Sequence, residues 1–174
     1  MPRALPDERT IRLPFAPPLG LYIHMPWCLK KCPYCDFNSH EHPGLGFVAN
    51  RPDHDPMRAM FDAYVDALIR DLELSLASIW GRTVHTVFIG GGTPSLCPPA
   101  AMNRLLEAIR SLLRLSADAE ITLEANPGSS DQERFESFAA AGINRLSLGV
   151  QSFSDKCLKA IGRVHDGRQA LSAV

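Results

Sequence analysis

A repeating alternation constrains this chain more than any other feature of it. Short strand-like runs, of which Val84–Ile89 is β-branched and aromatic, alternate with stretches whose apolar residues recur at a helical period. The runs are Leu19–His24 (LGLYIH), Val84–Ile89 (VHTVFI), Glu120–Glu124 (EITLE) and Arg145–Val150 (RLSLGV), and they read as strands. Between the first two, Met57–Trp80 places Phe61, Tyr64, Val65, Leu68 and Leu72 on one helical face, with Arg70, Asp71 and Glu73 on the wet side. A second helix starts near Pro98, because proline suits a first turn, and buries Met102, Leu105, Leu106, Ile109 and Leu113. A third spans Asp131 to Ala141, with Ser130 as N-cap and Gly142 as stop. A short helix over Ser154–Ile161 follows the last strand, and Asp166 opens another that the chain end cuts off. Strand–helix alternation of this kind folds as a parallel sheet with helices outside, since right-handed crossovers leave few other arrangements. A parallel sheet closed on itself takes about eight strands. The expected fold is therefore α/β, a partial (β/α) barrel of four parallel strands with outer helices, truncated at its C-terminal side. The last run is largely apolar, as a strand covered on both faces would be.

Composition narrows the function classes. With 45% hydrophobic and 21% charged residues and a net charge of −1, there is no electrostatic case for nucleic acid or an anionic membrane. No apolar stretch is long enough to span a bilayer. The first twenty residues mix Arg, Asp, Glu and Pro without an apolar core, which argues against a secretory signal and for the cytoplasm. Residues 1–18 read as a Pro-rich leader and 19–174 as the N-terminal part of one core domain. Residues 38–56, rich in His, Pro and Gly, read as an exposed loop.

Five cysteines are present and three of them, Cys28, Cys32 and Cys35, crowd into eight residues directly after the first strand. A secreted disulfide framework would pair and space them, so crowding points to metal ligation. Thiolates suit iron–sulfur clusters or zinc. Three donors can fill three corners of a four-iron cube and leave one iron without a protein ligand, which serves an enzyme that binds a cofactor at the metal better than a pure electron carrier. A structural zinc site, with His24, His40 or His42 as fourth ligand, is the alternative, although its usual paired spacing is missing. The C-terminal end of a barrel strand is where chemistry sits in such folds. Cys97 and Cys157 read as small buried or capping residues.

The segment from Tyr22 to Ser39, YIHMPWCLKKCPYCDFNS, resembles the signature of the HemW-type heme chaperones, which are radical S-adenosylmethionine (SAM) proteins related to oxygen-independent coproporphyrinogen III oxidase. GGGTPS, LEANPG and LSLGVQSF follow in the order of that family. The resemblance runs from about Leu19 to the chain end and implies a radical SAM barrel. It implies a [4Fe-4S] cluster on Cys28, Cys32 and Cys35, whose open iron takes the amino and carboxylate groups of SAM. An electron from the cluster then releases a 5′-deoxyadenosyl radical, chemistry that belongs to the cofactors.

Residue by residue, the resemblance implies SAM contacts at Tyr22 and at Tyr34, the latter near the adenine. Gly91, Gly92 and Thr93 would let backbone approach the ligand, since side-chain-free residues permit close contact. Glu124 would accept hydrogen bonds from SAM, Gln151 would bond a polar part of it, and Arg163 would fork a carboxylate. Read singly, Tyr22 is an ordinary strand aromatic, Glu124 a strand-end charge and Arg163 a surface cation. Coproporphyrinogen oxidases carry a further cysteine two residues after the third, where this chain has Phe37. That departure favours heme binding and transfer over oxidative decarboxylation of coproporphyrinogen III, and leaves open whether the chain is an enzyme at all. The implied partners are SAM, heme or a porphyrin, an electron donor such as flavodoxin or ferredoxin, and a heme-accepting protein. An aspartate that contacts SAM and an HNxxYW segment linked to heme are expected beyond Val174.

Overall fold

In the computed structural model, which describes residues 15–42 and 56–174, the strand–helix alternation folds as expected. In chain order the elements are β1 (Leu19–Met25), β2 (Trp27–Cys28), β3 (His40–Glu41), α1 (Pro56–Ile79), β4 (Thr83–Gly91) and α2 (Pro99–Leu112). Then come β5 (Arg114–Ala125), α3 (Ser129–Ala140), β6 (Arg145–Leu148), α4 (Asp155–Ala160) and α5 (Gly167–Ser172). Four strands form one parallel sheet in the order β1-β4-β5-β6. The pairings Met25–Gly91 and Ala125–Leu148 set the C-terminal ends of all four at one edge.

The core lies between the sheet and its helices. Phe61 and Val65 of α1, Met102, Leu105, Leu106 and Ile109 of α2, and Phe138 of α3 are buried against Val87, Ile89 and Leu123. The apolar stripes expected of α1 and α2 all face this core, with Tyr64 and Leu68 half-buried at its margin. Arg70, Asp71 and Glu73 are exposed. Gly142 ends α3 as anticipated. Its φ is +99°, its N–H reaches Ala139 O (2.9 Å), and the next N–H, of Ile143, reaches Phe138 O (3.0 Å). This paired closure needs a left-handed residue that only glycine adopts freely. Asp166 caps α5 in a reciprocal box, accepting from Gln169 N while the Gln169 side chain accepts from Asp166 N.

Several boundaries differ from expectation. Helix α3 begins at Ser129 with Gly128 at its N-cap, so Ser130 lies inside the first turn. Strand β5 starts at Arg114, earlier than its apolar run, because the pairing jumps from Leu115 opposite Val84 to Glu120 opposite Thr86. The intervening register shift, across which Ser116 donates to Asp118, hides the strand's beginning in polar sequence. Strand β6 is not covered on both faces: Arg145 and Leu146 are exposed, and among the described residues it pairs with β5 alone. Within the polar stretch 38–56, His40–Glu41 pairs in parallel with Trp27–Cys28, while residues 43–55 lie outside the described residues, as do 1–14 of the leader. Cys97 is buried and burial pushes its thiol up to about 12, whereas Cys157 is exposed and neither buried nor capping.

Leu123, fully buried in the middle of the sheet, should cost about 2–5 kcal/mol on truncation to alanine through lost transfer energy and a residual cavity. Trp80→Ala, at a residue 84% exposed, should stay within about 0.5 kcal/mol. Urea unfolding of the two variants checks the contrast.

Candidate cofactor site at the strand ends

The cysteine loop is tied down at its root before it reaches the site. Trp27 lies edge-on to Phe61 and Tyr64 of α1, with ring centroids 5.1 and 4.8 Å apart, and the Tyr64 hydroxyl donates to His24 O at 2.8 Å. The β2–β3 pairing closes the loop on itself. His40 N–H donates to Pro26 O (2.7 Å), and the Lys31 ammonium donates to Phe37 O (3.1 Å) and Ser39 O (2.9 Å). Cys35 N–H turns back to Cys32 O at 3.0 Å, which brings the last two thiols onto one turn. Each carbonyl so used would otherwise need water, so the loop is ordered by its own backbone accounting.

The glycine turn after β4 locks onto that root. Gly92 N–H donates to Met25 O (2.6 Å) and Thr93 N–H to Trp27 O (2.8 Å). A Cβ on Gly92 would sit 2.5 Å from Trp27 O, and one on Gly91, whose φ is +115°, would sit 2.7 Å from the His24 ring. The glycines are thus required first by the approach of two backbone segments of the chain itself, ahead of any ligand. Gly91 N–H also donates to Glu124 Oε2 at 3.1 Å, which holds that carboxylate at the end of β5.

A cavity of about 290 Å³ opens at this edge. Cys28, Cys32, Tyr34, Cys35, Gly91, Gly92, Thr93, Glu124, Gln151 and Arg163 all line it, drawn from five separate stretches of chain. Tyr22 does not. It stands on the sheet face, stacked on Phe88 at 6.3 Å, with its hydroxyl 3.0 Å from His24 Nδ1. Burial, then the nearby Glu124 charge, holds the Tyr22 pKa above its ordinary value. Burial, then a hydrogen bond with Cys32, does the same for Tyr34. Gln151 adopts φ +64°, a left-handed conformation rare for its type, so its position is imposed by the surrounding turn. His165, buried and bonded to Val150 O at 3.0 Å, supports that turn, and burial holds its imidazole below the ordinary pKa.

Asn126 belongs to the site and was not singled out from the sequence. It reads there only as part of an Asn-Pro-Gly strand stop. In the structure its Nδ2 donates to Thr93 Oγ1 (3.2 Å) and its Oδ1 accepts from Arg163 Nη2 (2.5 Å), bridging the ends of β4 and β5 to the α4 region. Phe37, 63% exposed, also lines the cavity, at the position where a further cysteine would stand in an oxidase-like loop.

The donor set fits an iron–sulfur cluster. All the cysteines are free thiols, and the clustered three face one cavity, beside the cationic Arg163 that offsets thiolate charge. The zinc alternative is less well served. None of His24, His40 and His42 lines the cavity, and His24 has both ring nitrogens engaged, by Tyr22 and by Asn38 O at 2.7 Å.

Residues 22–174 match the sequence profile of the Radical SAM superfamily. The chain is 50% identical over 157 residues to the heme chaperone HemW of Escherichia coli, covering 90% of this chain and 38% of that protein. It is 41% identical over 155 residues to a mitochondrial radical S-adenosyl methionine domain-containing protein 1 of Bos taurus, covering 89% and 32%. Among solved structures, the coproporphyrinogen III oxidase HemN of Escherichia coli, described as a radical SAM enzyme, superposes with a TM-score of 0.74 at 30% identity, covering 89% of this chain and 33% of that one. The chain thus spans well under half the length of these relatives.

If the Gly92 contact is what seats the loop, Gly92→Ala should lower stability by about 1–3 kcal/mol, because the clash is with backbone that cannot rotate away. Gly128→Ala, where an added Cβ meets nothing within 4 Å, provides the comparison and should cost no more than the roughly 0.5–1 kcal/mol by which alanine is a poorer N-cap than glycine. Urea unfolding curves measure both.

Proposed function

This chain belongs to the radical SAM superfamily, and from that premise we propose that it is a heme chaperone carrying a [4Fe-4S] cluster on Cys28, Cys32 and Cys35. What supports this reading is the convergence of the three thiols, the glycine turn, Glu124, Gln151 and Arg163 around one cavity at the sheet's C-terminal edge. Such a cluster, when bound, supplies an open iron and an electron for SAM. The protein's own part is to hold and orient. Glu124, fixed by Gly91 N–H, offers its remaining acceptor capacity to SAM hydroxyl or amino groups. Tyr34 covers the adenine side, and the Gln151 side chain reaches the same space. Tyr22 acts from outside the lining, by way of His24 and the strand face.

Heme binding and its transfer to an acceptor protein come from the likeness to the heme chaperones, with Phe37 in place of a further cysteine favouring that role. An electron donor such as a flavodoxin or ferredoxin would reduce the cluster. No described helix is long and apolar enough to cross a membrane. The proposed location is the cytoplasm, where thiols stay reduced. The fold it shares with HemN favours a second reading, oxidative decarboxylation of coproporphyrinogen III.

Anaerobic reconstitution should load about four irons and as many labile sulfides per chain. Alanine at Cys28, Cys32 or Cys35 should abolish loading, and alanine at Cys97 or Cys157 should not. A protein extended through the region expected beyond Val174 should bind heme saturably and form no protoporphyrinogen IX from coproporphyrinogen III and SAM. Stoichiometric zinc without labile sulfide would contradict the cluster, and protoporphyrinogen IX formation would contradict the chaperone reading.

A further inference from the structure

Between α4 and α5 lies His165, buried to 5% exposure and absent from the lining of the strand-end cavity. The run that carries it is pinned against the segment leaving β6. Gly167 N–H donates to Asp155 Oδ1 at 2.7 Å, and a Cβ on Gly167 would sit 2.4 Å from Phe153 O. The ring's Nε2 lies 3.0 Å from Val150 O. A carbonyl only accepts, so Nε2 carries the hydrogen and Nδ1 is a bare acceptor, buried without a partner among the described residues. The ring's one bond thus goes to the turn beside the site.

The carbonyl it reaches is the one that closes that turn. Ser152 N–H donates to Val150 O at 2.7 Å across Gln151, whose φ is +64°. A bond spanning three residues about a left-handed centre marks the rare, strained form of the γ-turn. Outside glycine, such a backbone persists only where its surroundings hold it. Val150 O therefore uses both lone pairs, one within the turn and one on His165. Gln151 is exposed and lines the cavity, whereas the imidazole lies behind the turn. A molecule bound in the cavity does not compete for the imidazole's bond.

We propose that His165 is a positioning residue for SAM, bracing the Val150–Ser152 turn from its buried side so that the Gln151 amide stays presented to the cavity. This rests on the reading of Gln151 as a SAM contact. A neutral ring suits the task, because it supplies one directed donor. Burial disfavours the charged form, whose second N–H would have no acceptor. Without that donor Val150 O keeps only the bond within the turn. Gln151 is then free to relax toward the ordinary negative-φ regions, which carries its side chain away from the ligand.

The test measures SAM binding by equilibrium dialysis on the reconstituted protein extended through the region expected beyond Val174. The forms compared are wild type, His165→Phe, His165→Gln, Gln151→Ala, and His165→Phe combined with Gln151→Ala. His165→Phe keeps a flat ring without a donor and should weaken SAM binding about tenfold or more, with iron loading unchanged. His165→Gln, whose amide nitrogen donates from the same place, should stay within roughly threefold of wild type. Because the role acts through Gln151, His165→Phe should add less than about twofold to the loss that Gln151→Ala causes alone. A His165→Phe variant that binds SAM like wild type overturns the proposal. So does a combined variant whose two losses multiply, or a glutamine no better than phenylalanine. Should His165→Phe fail to take up iron, His165→Leu decides by the same criteria, and failure of both overturns the proposal by making His165 a residue of folding alone. Gln151→Ala without effect on SAM binding overturns the SAM-contact reading and this role with it. A weakened Gln151→Ala beside an indifferent His165→Phe overturns this role alone.

Discussion

Two backbone hydrogen bonds, from Gly92 to Met25 and from Thr93 to Trp27, hold the site to the sheet. They continue the parallel ladder of β1 and β4 one step beyond its regular end, into the start of the cysteine loop. Only residues without a Cβ let the two chains come that close, because any side chain at Gly92 would meet Trp27 O. The position of Cys28 follows from this contact, since it is the residue after Trp27. Cys32 and Cys35 then follow from the loop's own closure through β3 and Lys31.

The same edge collects groups far apart in sequence because every strand of the sheet points the same way. Parallel strands joined by helices return each C-terminal end to one side, and there the glycine turn, Glu124 with Asn126, and the Gly149–Gln151 turn meet the cysteines. The apolar face of α1 and α2 fixes the sheet from behind, while Asn126 and Arg163 cross-link the strand ends in front. Packing therefore sets the coarse geometry, and a small number of charge-assisted and amide hydrogen bonds set the fine one.

The sheet and most of the site were legible in the sequence because they rest on local signals. Helical stripes such as Phe61–Val65–Leu72 and Met102–Leu106–Ile109, the stop at Gly142 and the N-cap at Asp166 follow from periodicity and capping chemistry alone. The spacing of Cys28, Cys32 and Cys35 is what the proposal of a metal site rests on in the sequence. What the sequence hid depends on partners distant in the chain. Strand β3 is two residues of exposed, polar sequence that become a strand only because Trp27 and Cys28 are there to pair with them. The early part of β5 is polar and irregular and is recruited by pairing with Thr83 and Val84. Asn126 reads as a turn former until Thr93 and Arg163 are brought to it, and Tyr22 is near the site in sequence yet stays outside its lining. Cys157 looks like Cys97 in composition, and only the exposed face of α4 separates them.

The central claim is that three thiols leave one iron of a cube open toward the cavity that Glu124, Gln151 and the glycine turn enclose. Mössbauer spectroscopy on the chain reconstituted with isotopically enriched iron, with and without SAM, addresses it most directly, because it resolves iron sites that differ in ligation. The account predicts that SAM shifts the signal of one unique iron and leaves the remaining sites as they were. A spectrum that ignores SAM, or one whose irons are all equivalent throughout, would contradict it.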